Sequence, residues 1–238
     1  MRLASLPQRR DGRLIVVSSD LAWYADADHI VPTLQAALDD WERYAPLLDA
    51  LTLDLEHEVI PRRRFHEREA CAPLPRVYRR LDGGRDLPGD ALAAGRAELD
   101  GPCPASSVAL CAVTDEVAKG AARRAGLEGV RLVGLIHDAG LGALSPVLAT
   151  PDALEREGLA LWVERSGQPA TRNKVLLPDL GALVSAAAAG RALGPGTLVS
   201  GPPLVDLAAL GPGDSVRIEL RDGRGKSLFG ALERRVHG

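Results

Sequence analysis

Aromatic side chains are scarce in this 238-residue chain: three Trp, three Tyr and two Phe make up 3% of it. That excludes a stacking platform for single-stranded nucleic acid and leaves Leu, Val, Ala and Ile to build the core. Cysteine is also rare. Cys71, Cys103 and Cys111 form an odd set without a C-x-x-C pair. This argues against a disulfide framework or a zinc cage and for reduced thiols. No apolar run reaches the length needed to span a bilayer. The opening "MRLASLPQRRDGRLIVVSSD" lacks a signal-peptide core, since its one apolar run, Leu14 to Val17, is too short. A cytoplasmic location is expected. Net charge is lacking too: 29 Lys and Arg against 32 Asp and Glu leave −3. That gives no electrostatic ground for binding nucleic acid or an anionic membrane.

What remains is an ordinary globular composition, 46% hydrophobic and 26% charged. The length suits one large domain, or a small N-terminal domain followed by a main one. "MRLASL" and "RLIVVSS" predict a hairpin turning at Asp11-Gly12. Leu34, Leu38, Trp41, Ala45 and Leu48 recur at helical spacing. Pro46 is expected to kink or end that helix, with a second one running to about Glu58. The arginines of "PRRRFHERE" predict a charged connector. A helix is expected from Asp82 to about Gly101. "SSVALCAVTDEV" and "RLVGLIHDAG" predict strands, and "LWVERSGQPATRNKV" a hairpin about Ser166-Gly167. "DLGALVSAAAAGRAL" predicts a helix capped at Pro178-Asp179, and "GTLVSGPP" a short strand. "GDSVRIELRDGRGKSLFGALERR" predicts a last hairpin, with Leu228 to Leu232 returning. The fold class is therefore α+β, rich in β-structure that closes on itself, and not an alternating βαβ fold.

The order of several stretches resembles the fumarylacetoacetate hydrolase family, in the bacterial type with an N-terminal cap. They are "MRLASL…DGRLIVVSSDL", "PTLQAALDDW", "CAPLPRVYRRLDG", "VALCAVTDEVAKG", "VRLVGLIHD", "LSPVLATPDAL", "DLGALVSAAAAGRALGPGTLVSG" and "GDSVRIELRDGRGKSLFGAL". The resemblance implies a small N-terminal α/β cap domain, residues 1–70, and a C-terminal β-roll, residues 71–238, assembled as a homodimer. It implies one divalent metal and chemistry on β-diketone-like or 2-oxo acids: cleavage, hydration, decarboxylation or isomerisation.

The metal site that the resemblance implies is degraded. Its first carboxylate falls on Asp82 and its last on Asp138, but its Glu-x-Glu pair falls on Ser107 and Ala109. A hard cation needs several charged oxygens, so no metal and no other cofactor is expected. The family histidine falls near Gly89, and the family lysine before "SPV" has no counterpart. The Gly-Ser-Gly-Thr turn becomes Ser200-Gly201-Pro202-Pro203. Pocket segments are missing before Ser106, after Asp138 and after Pro203.

Asp138, Asp82 and His137 are the candidate catalytic residues. Asp138 reads as an acid–base group or as a strand-end aspartate bonded to loop amides. If Asp138 faces the pocket, His137 faces away, unless the strand has already ended. Asp82 close to Asp138 with no metal between them makes one carboxyl hold its proton to higher pH; a bland turn beside Gly83-Gly84 is the other reading. Ser107, Arg172, Lys174 and Ser200 are the candidate substrate-binding residues, with Arg172 and Lys174 either solvated or holding a substrate carboxylate. Cys103 reads as an exposed thiol in a Pro-rich loop. The expected activity is a metal-independent isomerase, cyclase or lyase acting on an enolisable carbonyl compound of a biosynthetic pathway. The alternatives are a non-catalytic protein that binds a ligand or partner, and a residual metal-dependent hydrolase using Asp115 or Glu116.

Overall fold

A computed structural model describes residues 1–89, 91–139, 142–154 and 158–237. The N-terminal part comprises β1 (Arg2–Leu6), β2 (Arg13–Val17), β3 (Trp23–Asp26), helices α1 (Leu34–Asp39) and α2 (Trp41–Glu56), and β4 (Arg63–Arg64). Then follow β5 (Arg79–Asp82), β6 (Arg85–Leu87), β7 (Arg96–Leu99), β8 (Ser106–Thr114), α3 (Arg123–Glu128), β9 (Val130–Asp138), β10 (Ala143–Leu144) and β11 (Leu148–Ala149). The chain closes with β12 (Ala160–Arg165), β13 (Thr171–Lys174), α4 (Leu180–Ala187), β14 (Thr197–Leu207), β15 (Ser215–Arg221) and β16 (Leu232–Val236). The architecture is α+β and β-rich.

Among the described residues the strands form two sheets. The larger runs β4-β3-β2-β1-β11-β9-β8-β14-β5-β6, with β10 added on β9; the smaller runs β13-β12-β15-β16-β7. Because β1 pairs with β11, the large sheet continues across residue 70. Its two faces carry two cores. On one face Val108, Leu110, Val133 and Leu135 pack against Leu161, Ile218 and Leu220 of the smaller sheet. On the other, Ala109, Cys111, Leu132 and Ile136 join Leu34, Leu38, Trp41 and Leu48 of the helices. Successive residues of β8 and β9 thus alternate between the cores, which is why both strands read as continuous apolar runs.

Three expectations are corrected. The helical break falls at Asp40, between α1 and α2, and Pro46 lies inside α2. Pro46 is in the second turn, so α2 continues through it without the hydrogen bond that an N–H there would give to the Glu42 carbonyl. The helix expected from Asp82 is replaced by β6 and β7; Gly83 and Gly84 adopt positive φ and form the β5–β6 turn. In the last hairpin the return strand begins at Leu232, later than expected. No helix is long and apolar enough to cross a membrane among the described residues.

Candidate functional site

Strand pairing decides which side chains share a face. Asp138 lies opposite Ser107 on β8, and two residues back Ile136 lies opposite Ala109. On the other side of β8, Ser107 faces Asp206 of β14, and Cys111 faces Ser200. Ser200 in turn pairs with Asp82 of β5, and Leu198 with Arg80. Asp82, Ser107, Ala109, Asp138, Ser200, Asp206 and Arg80 therefore all belong to the face that carries the helix-side core.

Arg80 organises this face. Its side chain is only 2% exposed, and its Nη2 donates to Asp138 Oδ1 at 2.7 Å, while the Asp138 side chain is 46% exposed. A buried guanidinium needs such a partner, since an uncompensated charge in the interior is costly. Gly142 closes over it at φ +80°: a Cβ there would lie 2.5 Å from Arg80 Nη1. Asp82 has a different cation, the exposed Arg85, at 3.5 Å. The two aspartates thus have different arginine partners. Ser200 is buried, and its Oγ has no hydrogen-bond partner among the described residues.

His137 points the other way. It pairs with Val108 and Ala143, is fully buried, and its Nε2 lies 2.9 Å from Ser106 Oγ. Its Nδ1 has no partner among the described residues. Burial first, then the nearby Arg234, lowers its pKa from 6.5 to about 4, against an opposing pull from Asp138. The ring is neutral at physiological pH and separated from the Asp138 carboxylate by the sheet itself.

Arg172 and Lys174 sit on β13, at the edge of the smaller sheet, and both are exposed. The Arg172 guanidinium lies 5.9 Å from the Trp162 ring centre. They are not brought to the Asp138 face. Asp115, on the loop after β8, is bound twice by Arg131, at 2.6 and 2.9 Å. Cys103 is buried, not exposed. Sequence reasoning missed Arg80 and Asp206. The i, i+2 spacing of Arg80 and Asp82 on a strand was the available signal for the first. The partner of Arg80 is 58 residues away and leaves no local trace.

Residues 1–76 match the family described as "Fumarylacetoacetase N-terminal domain 2". That N-terminal stretch is similar to the fumarylacetoacetate hydrolase family. The sequence carries that assignment over the N-terminal part, and solved structures supply the fold of the whole. Maleylpyruvate hydrolase from Sphingobium sp. SYK-6 superposes with a TM-score of 0.76 at 17% identity, over 100% of this chain and 99% of its own. The same enzyme in complex with manganese(II) ion and pyruvate gives 0.72 at 18%, over 100% and 99%. The 5-carboxymethyl-2-hydroxymuconate delta-isomerase from Mycobacterium smegmatis gives 0.62 at 17%, again over 100% and 99%. Among curated proteins no sequence matches.

The metal that the fumarylacetoacetate hydrolase family implies does not fit the residues present. Of the four positions, Ser107 is neutral, Ala109 has no donor, and the Asp138 carboxylate is already held by a guanidinium. No group of three or more His, Cys, Asp or Glu side chains comes together among the described residues. Carboxylate number and charge are what a hard divalent ion requires.

Proposed function

We propose that this protein is a member of the fumarylacetoacetate hydrolase family and handles an enolisable carbonyl compound, of the β-keto or 2-oxo acid type, without a divalent metal. The reaction class is isomerisation, cyclisation or a lyase step in a biosynthetic pathway, with the protein working as a cytoplasmic homodimer. The observation that carries the reading is the Arg80–Asp138 pair: a half-exposed carboxylate held in place by a buried arginine. In this reading Asp138 moves the proton next to the carbonyl. Ser107 and the unpartnered Ser200 hydroxyl, on the same face, bind the oxygens of the substrate. The likeness to maleylpyruvate hydrolase and to a delta-isomerase supports the substrate class only through the shared fold.

A second reading, a non-catalytic protein that binds a ligand or partner, is favoured by the packing of Gly142 on the Arg80 guanidinium. A cavity of about 690 Å³ also lies elsewhere, beside Leu127, Leu154 and Leu177.

One experiment separates the two. Metal-stripped protein is mixed in D2O with maleylpyruvate and simple 2-oxo and β-keto acids, and exchange or conversion is followed by NMR. Catalysis predicts turnover that EDTA does not abolish and that Asp138→Asn removes. Ligand shifts without turnover support the non-catalytic reading. Hydrolysis that appears only when Mg²⁺ or Mn²⁺ is added overturns both.

A further inference from the structure

The residues that disagree with the family's metal also suggest what has replaced it. We infer that the Arg80 guanidinium is the fixed cation of this face and stands in place of an exchangeable divalent ion. Three observations converge on it. The guanidinium is buried, although it starts on β5, and it meets Asp138 at the end of β9. It lies on the same face as Asp82, Ser107 and Ala109, the other positions where the family resemblance puts metal-binding carboxylates. Lastly, Gly142, just before β10, makes room for it: it adopts a left-handed φ of +80°, and its missing side chain leaves the space that Nη1 and Nη2 occupy. Removing negative charge from 107 and 109 makes a divalent ion untenable, and the guanidinium supplies a positive charge to the Asp138 carboxylate. A planar fork that donates to Asp138 also fixes the orientation of that carboxylate, which a lysine does not. Arg80 acts through Asp138 and is a positioning residue.

The test needs no substrate, so its failure is distinct from failure of the proposed activity. Carboxylates are returned at both β8 positions, Ser107→Glu with Ala109→Glu, once with Arg80 kept and once with Arg80→Met. Mn²⁺ uptake is read by electron paramagnetic resonance. The expected result is Mn²⁺ uptake when Arg80 is removed and a large loss of that uptake when Arg80 is kept. Equal uptake by the two variants, including none in either, overturns the inference. A double-mutant cycle on the native background guards against misfolding of these variants. Asp138→Asn alone is expected to lower Tm, because it takes the charged partner at 2.7 Å from a buried guanidinium. Arg80→Met added to it is expected to recover most of the loss. Additive losses also overturn the inference.

Discussion

His137 and Asp138 are neighbours in the chain and face opposite sides of one sheet. The His137 ring is buried in the inter-sheet core against Ser106, while the Asp138 carboxylate lies on the helix side under Arg80. A His-Asp dyad does not exist here, and each residue has its own testable consequence.

Acid should destabilise the protein through His137. Its folded pKa is about 4, lowered from 6.5 chiefly by burial. Between those values the unfolded chain binds more protons than the folded one. The stability tied to the neutral ring is therefore present above pH 6.5 and is lost as pH falls towards 4. The slope for one such group is about 1.4 kcal/mol per pH unit, or on the order of 3 kcal/mol across the window. Urea unfolding of the wild type and of His137→Gln at several pH values checks this. The variant should show a flatter profile, and parallel profiles would clear the ring of any part.

Gly142→Ala is expected to cost about 1–3 kcal/mol, from a non-glycine residue at positive φ together with displacement of the Arg80 guanidinium. The midpoint of chemical denaturation reads the change. A variant as stable as the wild type would show that the guanidinium has room to move.

The thiols should be nearly silent in the native state. Burial pushes the Cys111 thiol up to about 12. Cys103 is buried, and Cys71, raised by burial as well, is the more accessible of the three. A chromogenic disulfide at neutral pH should label slowly and at Cys71, and all three should react once the chain is unfolded. Fast labelling that survives Cys71→Ser would mean that Cys103 opens to solvent.

Replacing Arg172 and Lys174 together with alanine should change stability by no more than about 0.5 kcal/mol, as for exposed charges whose one ring contact, Arg172 over Trp162, is a loose 5.9 Å. Ligand-induced NMR shifts of residues near Asp138 should persist in that variant. Their disappearance would return both side chains to the binding site.

Much of the fold was legible locally. Asp11-Gly12 announced a tight turn, and Asp179 does cap α4. The strand character of β8 and β9 followed from their branched, apolar runs. What misled was the stretch after Asp82, where alanine and leucine suggested a helix. Its glycines instead turn β5 back into β6, and the pairing of β7 with β16 is 137 residues away in sequence.

The site divides the same way. The sequence by itself determined what could not be done at the old metal positions, because Ser107 and Ala109 lack charged donors whatever their geometry. That His137 and Asp138 face opposite ways took the structure, because strand alternation applies only if β9 runs through Asp138, which it does. Only the tertiary structure decided which cation meets Asp138. Arg80 on β5 and Asp138 on β9 belong to one sheet, linked through β14 and β8, and their side chains meet across 58 residues of sequence. Such long-range registers are set by the packing of whole strands, and no local pattern around either residue encodes them.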